Sequence, residues 1–228
     1  MTGIFLQARI DSSRLPAKAL LALGGRTLIE HAMVRLRRVP ADVYVLLTDD
    51  ASLPFLAPYA QARGFEVFAG PRDDVLMRYV MAAKAYGVRT VVRATGDNPL
   101  VSAVAASAAL EFHSRGGADY TGFRDIPLGT GVEVVDASAL FRAAEETVDP
   151  YDREHVTPYV RRGEGGLVVN LVDPPPSWAA PHLRVTVDTL DDFLFVCRIM
   201  SEDPDVEIED LVAGWGGKAR DAVVGGVW

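Results

Sequence analysis

The chain has 228 residues, of which 49% are hydrophobic and 24% are charged, a balance that excludes a disordered protein and suffices for a continuous core. Its 31 acidic and 23 basic residues give a net charge of -8, which argues against nucleic acid or an anionic membrane surface as a partner. The single cysteine, Cys197, cannot form an intrachain disulfide, and Met1 is followed by a strand-like run instead of a secretory leader. No apolar stretch is long enough to cross a bilayer, so the sequence predicts a cytoplasmic protein.

The first half of the chain alternates short apolar runs with helical patterns. Its predicted strands are 3–8, 43–48, 66–69 and 90–95. The predicted helices that follow them are 28–39, 53–63, 75–86 and 101–113. This alternation favours βαβ crossovers and a parallel sheet with helices on both faces. Ligands bind such sheets beyond the carboxyl ends of the strands, so the loops at that edge are the candidate binding segments.

The second half breaks this rhythm and predicts a mixed sheet. Its predicted strands are 118–123, 131–135, 167–172 and 183–187. Its predicted helices are 137–147, 152–162 and 190–200. Three consecutive prolines at 174–176 require an extended loop, and the tail 214–228 gives only weak structural signals. The whole chain is therefore interpreted as one α/β domain with a mixed, mostly parallel sheet.

Basic side chains are concentrated in the loop that follows the first predicted strand. The segment QARIDSSRLPAK carries Arg9, Arg14 and Lys18, together with the hydroxyl residues Ser12 and Ser13. Guanidinium groups, hydroxyls and an ammonium together can hold a triphosphate. The glycine-rich signatures of dinucleotide-binding and P-loop proteins do not follow this strand. A solvated basic loop is the alternative interpretation, and the position directly after the first strand favours a binding site.

Two aspartates follow predicted strands whose ends should lie at this same edge of the sheet. Asp97 lies in RATGDNPL, after the fourth predicted strand, and Asp188 follows the alternating run RVTV. A carboxylate at this edge can hold Mg²⁺, which prefers one or two carboxylates together with phosphate oxygens and water. The alternative for Asp97 is to cap a helix that begins near Pro99. Asp188 precedes a predicted capping box formed by Thr189 and Asp192, which leaves Asp188 available for a metal.

Three other polar segments have both a binding role and a structural alternative. In GPRDDVLMRY, Arg72 either lies near a bound base or is solvated, and Asp74 is predicted to cap the following helix. Glu133, among valines, is a pocket residue, an outward strand residue or the buried partner of an arginine. His155, in DREHVTPY, is either a polar contact in a pocket or a hydrogen-bonded structural residue.

Six segments occur in an order that resembles one known family. They are QARIDSSRLPAK, GPRDDVLMRY, RATGDNPL, GVEVV, YDREHVTPY and RVTVDT. With these segments the chain resembles the spore coat polysaccharide cytidylyltransferase-like family, which is related to the sugar-acid cytidylyltransferases of the 3-deoxy-manno-octulosonate type. The resemblance implies a Rossmann-like nucleotidyltransferase fold of the glycosyltransferase-A type, a three-layer α/β sandwich. It also implies CTP as donor, Mg²⁺ as cofactor, a small anionic acceptor and a homodimer.

Carried over by motif, the resemblance also implies the residues of the site. The implied catalytic residues are Arg14, Lys18, Asp97 and Asp188. The implied metal ligands are Asp97 and Asp188. The implied nucleotide-binding residues are Ala8, Arg9, Ser12, Ser13, Arg14, Lys18, Arg72, Asp73 and Thr95. The implied acceptor-binding residues are Glu133, His155, Arg184 and Thr186. Residues 1–114 are expected to form the nucleotide-binding half, and residues 115–228 the acceptor-binding and dimerisation half.

The predicted reaction is transfer of CMP from CTP to a sugar acid, a sugar phosphate or a phosphonate, with release of pyrophosphate, in surface polysaccharide or glycoconjugate biosynthesis. One alternative is a glycosyltransferase that consumes a nucleotide sugar and releases a nucleoside diphosphate. Another is a nucleotide-binding regulatory protein without turnover, because Asp11 and Ala17 stand where the family usually has glycine. Neither the acceptor nor the preference for cytosine follows from the sequence, since acceptor loops such as 121–130 match no motif.

Overall fold

A seven-stranded mixed sheet with helices on both faces forms the centre of the computed structural model, which describes residues 1–217. The strands of these residues, β1 to β9, are Thr2–Gln7, Ala22–Leu23, Arg26–Thr27, Val43–Thr48, Glu66–Ala69, Thr90–Thr95, Tyr120–Phe123, Glu133–Asp136 and Val169–Val172. Their α-helices, α1 to α9, are Leu28–Leu36, Leu53–Ala62, Val75–Tyr86, Ala103–Gly116, Ala137–Glu146, Pro150–His155, Pro158–Arg161, Leu190–Glu202 and Ile208–Trp215. Of the tail predicted at 214–228, residues 218–228 lie outside the described part of the chain.

The order of the strands confirms the predicted mixed, mostly parallel sheet. Across the sheet they run β5-β4-β1-β6-β8-β7-β9, while β2 and β3 form a separate hairpin. The first four are mutually parallel, and β8 runs antiparallel to both of its neighbours, β6 and β7. The carboxyl ends of β1 and β6 therefore lie side by side, with Gln7 opposite Thr95.

Both faces of the central strands are buried, as expected for strands that read as continuous apolar runs. On one face, Ile4 and Leu6 of β1 pack with buried residues of α1 and α4. On the other face, Phe5 packs in a core that includes Tyr79 of α3 and Leu140 of α5. These two cores give the three-layer α/β sandwich that the sequence predicts. None of the described helices is long and apolar enough to span a bilayer.

The two predicted helix caps are confirmed. At the start of α3, Asp74 accepts a hydrogen bond from the backbone N–H of Met77 at 2.9 Å. At the start of α8, the Thr189 hydroxyl accepts from the backbone of Asp192 at 3.2 Å, and the Asp192 carboxylate accepts from the backbone of Thr189 at 2.7 Å. Asp192 thus stabilises the first turn of α8, as its capping-box spacing predicts.

The predicted start of α4 is wrong, and the difference matters for Asp97. The helix begins at Ala103, and the Ser102 hydroxyl caps it by accepting a backbone N–H of the first turn at 3.1 Å. A turn precedes the helix, in which the N–H of Val101 donates to the carbonyl of Asn98 at 3.2 Å. Asp97 therefore has no capping role at this helix, and its carboxylate is available for other partners.

Two elements predicted in the second half differ from the structure. Within the described residues, the predicted strand 183–187 is a single bridge to Leu128, because β8 already occupies the position beside β6. Its buried valines pack instead into a third core with α8 and α9. The predicted helix 152–162 is two short helices, α6 and α7, because Val156 has a φ of 74° and Pro158 begins α7.

The loop after β1 contains a residue in a left-handed conformation. A backbone hydrogen bond from Ala17 to the carbonyl of Ile10, at 2.9 Å, closes this loop just before the 3₁₀ helix Lys18–Leu20. Ala17 has a φ of 53°, which costs roughly 1–2 kcal/mol for a residue with a Cβ. The backbone therefore gives a physical reason for glycine at this position in the resembling family.

We expect Ala17→Gly to stabilise the fold by about 0.5–1 kcal/mol, less than the full strain because glycine loses more backbone entropy on folding. The measurement is the free energy of unfolding from urea denaturation. Ala108→Gly, inside α4, is the matched control and should lower that free energy by about 0.5–1 kcal/mol. A loss of stability in Ala17→Gly would contradict the left-handed conformation of residue 17.

Candidate active site

Segments from distant parts of the chain meet at the ammonium of Lys18. Its Nζ donates to Asp97 Oδ2 at 2.8 Å, to Asp188 Oδ1 at 2.8 Å and to the backbone oxygen of Val187 at 2.9 Å. Lys18 belongs to the loop after β1, Asp97 follows β6, and Asp188 precedes α8. The two aspartates, predicted from separate motifs, thus lie on the same side of the molecule with one cation between them.

Asp97 is held by the ends of two neighbouring strands. The hydroxyl of Thr95, the last residue of β6, donates to Asp97 Oδ1 at 2.6 Å. The next residue, Gly96, donates its N–H to the carbonyl of Gln7 at 2.8 Å. A Cβ on Gly96 would lie 2.9 Å from the Cβ of Ala8, so this close approach of two backbones requires glycine. The approach sets Asp97 directly beside the basic loop.

Three cations surround Asp188. Besides Lys18, the carboxylate pairs with Arg14 at 3.1 Å and with Arg184. Burial raises the pKa of Asp188, but the hydrogen bond from Lys18 and the nearby positive charges outweigh burial and hold the pKa below its ordinary value. The carboxylate is therefore ionised at neutral pH. The N–H of Asp188 donates to Asp192 at 3.0 Å, which fixes its position against α8.

A cavity of about 310 Å³ is lined by Lys18 and by both aspartates. The predicted nucleotide-binding residues that line it are Ala8, Arg9, Ser12, Ser13, Arg14, Lys18 and Thr95. Arg72 and Asp73 are not brought to this cavity, since Arg72 pairs with Asp11 and the Asp73 side chain is 93% exposed. Asp11 also pairs with Arg9 at 3.5 Å. The acidic side chain in the basic loop is thus matched by two arginines.

The sequence patterns do not identify two polar residues of this cavity. Gln7, at the end of β1, lines it, and the buried Gln7 Oε1 has no hydrogen-bond partner among the described residues. Arg78, on α3, is 1% exposed and donates to the carbonyls of Pro71 and Arg72, each at 3.0 Å. Burial lowers the pKa of Arg78. Two sequence signals could have identified these residues. Gln7 is a polar residue at the end of an apolar strand, and Arg78 is an arginine between apolar residues of a helix.

The donor set fits magnesium. Among residues 1–217, no cluster of three or more histidine, cysteine, aspartate or glutamate side chains could hold a metal ion, whereas zinc takes three or four such ligands. Mg²⁺ takes one or two carboxylates and completes its coordination with phosphate oxygens and water. Asp97 and Asp188, beside a cavity whose cations suit phosphate, provide such a pair.

A second cavity, of about 440 Å³, adjoins the first. Both cavities are lined by Arg93, Thr95, Asp97 and Asp188. Three of the residues predicted to face the acceptor line the second cavity, namely Glu133, Arg184 and Thr186. The fourth, His155, lines the first cavity and a third one of about 520 Å³. His155 is exposed, and its ring centroid lies 4.3 Å from that of Tyr151.

Glu133 is held by three neighbouring side chains. Its carboxylate accepts from Arg93 at 2.5 Å, from the hydroxyl of Tyr120 at 2.8 Å and from the hydroxyl of Thr157 at 2.9 Å. Burial, together with the charge of Glu133, raises the pKa of Tyr120, which keeps the phenol a hydrogen-bond donor. Of the roles considered from the sequence, the structure shows two for Glu133, which is the partner of an arginine and lines the 440 Å³ cavity.

We expect Glu133→Gln to lower the free energy of unfolding by about 3 kcal/mol, because Arg93 would keep a poorly compensated charge in a part-buried site. For a chain of this size the melting temperature should fall by about 6–12 °C. Glu111→Gln removes an exposed pair with Arg115 on α4, and this control should shift the melting temperature by about 2 °C or less. An unchanged melting temperature in Glu133→Gln would contradict the structural role of this carboxylate.

Comparison with known proteins places this chain among enzymes of one family. Residues 4–208 match the sequence model of the family described as Cytidylyltransferase. The spore coat polysaccharide biosynthesis protein SpsF of Bacillus subtilis is 32% identical over 217 residues, which cover 91% of this chain and 90% of SpsF. A solved cytidylyltransferase structure from Leptospira borgpetersenii superposes with a TM-score of 0.84 at 27% identity, covering 93% of this chain and 92% of that chain.

A more distant structure shows the same fold. CMP:2-keto-3-deoxy-manno-octonic acid synthetase, solved in complex with CTP, superposes with a TM-score of 0.70 and covers 89% of this chain and 99% of that chain. The two sequences are 16% identical, so this likeness shows the fold alone. The two proteins therefore share the sheet and its flanking helices, although most of their side chains differ.

Proposed function

Because this chain belongs to the cytidylyltransferase family, we propose that it transfers CMP from CTP to a small anionic acceptor and releases pyrophosphate. Asp97, Asp188 and Lys18 meet at the junction of two cavities, and this observation carries the proposal. One cavity is rich in cations and hydroxyls and suits a triphosphate, and the other offers room for an acceptor. An enzyme that joins two anions needs positive charge between them. At this junction the Lys18 ammonium, and a Mg²⁺ ion held by the two aspartates, would supply that charge.

The triphosphate occupies the 310 Å³ cavity in this proposal. Arg9 and Arg14 contribute guanidinium groups, and Ser12 and Ser13 contribute hydroxyls, all from the loop after β1. A guanidinium can donate two parallel hydrogen bonds to a phosphate. Arg14 is 64% exposed, so it can turn to a phosphate without leaving a buried position. Membership of the cytidylyltransferase family supports CTP as the nucleotide.

Asp97 and Asp188 would hold Mg²⁺, which would neutralise charge on the reacting phosphate and on the leaving pyrophosphate. In the free protein, the Lys18 ammonium bridges the same two carboxylates. The phosphates of a bound nucleotide offer this ammonium another set of acceptor oxygens. The Lys18 ammonium therefore binds the two aspartates in the free protein and the triphosphate in the complex.

The proposed chemistry is an in-line displacement at the α-phosphorus of CTP. An acceptor oxygen forms a bond to this phosphorus, and the bond to the oxygen that bridges the α- and β-phosphates breaks. The electron pair of the broken bond leaves with pyrophosphate, and a hydroxyl nucleophile releases its proton to the surrounding water. Lys18 and Arg14 stabilise the charge that develops there, so the protein acts through alignment and electrostatics instead of through a covalent intermediate.

The acceptor occupies the 440 Å³ cavity, which Arg184 and Thr186 line near the two aspartates. Its class is a sugar acid, a sugar phosphate or a phosphonate, each of which presents an oxygen nucleophile and negative charge. SpsF is named for spore coat polysaccharide biosynthesis. This likeness supports a place for the enzyme in the synthesis of a surface polysaccharide or glycoconjugate.

A screen for pyrophosphate release tests the proposed reaction. Four nucleoside triphosphates are combined with sugar acids, sugar phosphates and phosphonates, with and without Mg²⁺. We expect release with CTP, with one class of acceptor and in the presence of Mg²⁺. A nucleoside diphosphate released from a nucleotide sugar would indicate a glycosyltransferase instead. Tight CTP binding in calorimetry without turnover across the panel would favour a regulatory protein.

In this proposal the two halves of the chain have different binding roles. Residues 1–114 form the nucleotide-binding half, and the residues from 115 onward form the acceptor-binding and dimerisation half. Leu190 and Leu194, one turn apart on α8, are 57% and 47% exposed, which suits contact with a second copy in a homodimer. Light scattering should give the mass of a dimer, and a monomeric mass would contradict this assembly.

A further inference from the structure

Arg161 brings a positive charge to the acceptor side of the site without a counter-ion among the described residues. It is the last residue of α7, it is exposed, and it lines both the 440 Å³ and the 520 Å³ cavities. Among residues 1–217 its guanidinium has no ion-pair or hydrogen-bond partner. Its charge nevertheless acts on Tyr120, where it opposes the rise in pKa that burial and Glu133 cause. Tyr120, on β7, lines the same 440 Å³ cavity as Arg161.

The other charged side chains that line the 440 Å³ cavity are paired within the protein. These pairs are Arg93 with Glu133, Arg184 with Asp188, and Asp97 with Lys18. Each of these pairs cancels its own charge. Arg161 is left as the cation of this wall that can take the charge of a ligand. A guanidinium is suited to a carboxylate, because the two groups can form a pair of parallel hydrogen bonds.

Within the 440 Å³ cavity, the acceptor group that Arg161 can bind is not the acceptor group that reacts. One cavity is lined both by the two aspartates and by Arg161. In the proposed reaction, the attacking oxygen lies at the aspartates, where it meets the α-phosphorus. A sugar acid can place its hydroxyl nucleophile there, and its carboxylate, which does not react, can then bind Arg161. An acceptor whose only anion is a phosphate or phosphonate uses that anion as the nucleophile and leaves Arg161 unpaired.

We propose that Arg161 binds the carboxylate of the acceptor and thereby selects sugar acids over acceptors whose only anion is the reacting group. This inference rests on the proposed cytidylyl transfer and deepens it by naming the substrate class. Arg161 is a specificity-determining residue for the acceptor, and it has no role in holding the nucleotide.

The test compares each sugar acid of the screen, 3-deoxy-manno-octulosonate among them, with its methyl ester, using CTP and Mg²⁺. In the wild-type protein, kcat/KM for the acid should exceed that for the ester by about 10- to 100-fold, as expected for a hydrogen bond to a charged group. In Arg161→Gln this preference should disappear through a higher KM for the acid. The KM for CTP should stay within about twofold of the wild-type value. Arg161→Lys should restore part of the preference, since it keeps the charge without the fork.

Arg115→Gln is the matched control, since Arg115 is 72% exposed on α4 and lies outside this cavity. It should leave the preference for acid over ester unchanged. An unaltered preference in Arg161→Gln, or an equal loss of CTP binding, would overturn the inference. Turnover by the wild-type protein with phosphates or phosphonates alone would also overturn it, while the transfer of CMP would stand. Absence of pyrophosphate release with every acceptor would remove the proposed function and the inference together.

Discussion

Asp97→Asn is expected to lower Mg²⁺-dependent pyrophosphate release from CTP and its acceptor by about a thousandfold or more. The amide keeps the shape of the carboxylate, but its single oxygen can accept from Thr95 or from Lys18 and not from both, since the two donors bond different oxygens of Asp97. The amide also lacks the charge that attracts Mg²⁺. A bound metal ion contributes several kcal/mol to this chemistry, and each factor of ten in rate corresponds to about 1.4 kcal/mol. The measurement is the initial rate at saturating CTP over a titration with Mg²⁺.

Asp191→Asn is the matched control for this variant. Asp191 is an exposed residue in the first turn of α8, and its loss should leave the rate close to that of the wild-type protein. Asp188→Asn should reproduce the loss seen in Asp97→Asn, because the two carboxylates share one ion in the proposal. Near-normal turnover by Asp97→Asn, with an unchanged requirement for Mg²⁺, would contradict the metal-binding role.

Lys18→Met is expected to change two measurements in opposite directions. Pyrophosphate release should fall about 100- to 1000-fold, since loss of one donor to developing negative charge costs about 2.7–4 kcal/mol. The affinity for Mn²⁺ in the absence of nucleotide should rise, because the cation that bridges Asp97 and Asp188 is removed. Pyrophosphate release is followed by a coupled assay, and Mn²⁺ binding by electron paramagnetic resonance of the free ion.

Lys84→Met is the control for loss of a lysine elsewhere. The Lys84 ammonium lies 4.9 Å from the ring centroid of Phe141 and lines none of the three cavities, so neither measurement should change. An unfolded Lys18→Met protein would lose metal binding as well as turnover, so a gain in Mn²⁺ affinity identifies a local effect. Turnover near the wild-type rate would contradict the role at the leaving group, and unchanged Mn²⁺ affinity would contradict the counter-ion role.

The strands nearest the site are predictable because burial on both faces leaves continuous apolar runs. β4 and β6, which flank β1, have their predicted bounds, and β1 is shifted by one residue. The edge strand β5 is only partly buried and also has its predicted bounds. The segment 183–187 alternates like a strand, yet pairing depends on which partner is free, and β8 takes the place beside β6. The alternation of polar and apolar residues within one segment does not show which of two segments will pair with β6.

The missed helix α9 carries a signal in its spacing. Ile208, Leu211 and Trp215 are buried at intervals of three and four residues, which is the pattern of one helix face. Acidic residues around them obscure this short pattern. The break between α6 and α7 has one signal, Pro158, because proline favours the first turn of a helix. The left-handed φ of Val156 itself has no signal, since a β-branched residue does not prefer that conformation.

The site is partly predictable for a physical reason. Loops after parallel strands gather at one edge, so motifs at Lys18 and Asp97 could be expected to lie near one another. The bridge that Lys18 makes between the two aspartates could not be predicted, because it depends on the conformations of three separate loops. Arg161 was missed because it lies just beyond YDREHVTPY and because its lack of a counter-ion among residues 1–217 is a property of the fold.

A crystal structure of the protein with CTP and Mn²⁺ tests the central claim most directly. The anomalous signal of manganese locates the ion without assumptions about its ligands. The expected result is one ion bound by both Asp97 and Asp188, with the Lys18 ammonium on the phosphates of CTP. An ion bound away from either aspartate, or Lys18 still lying between the two carboxylates with CTP in place, would contradict the proposed mechanism.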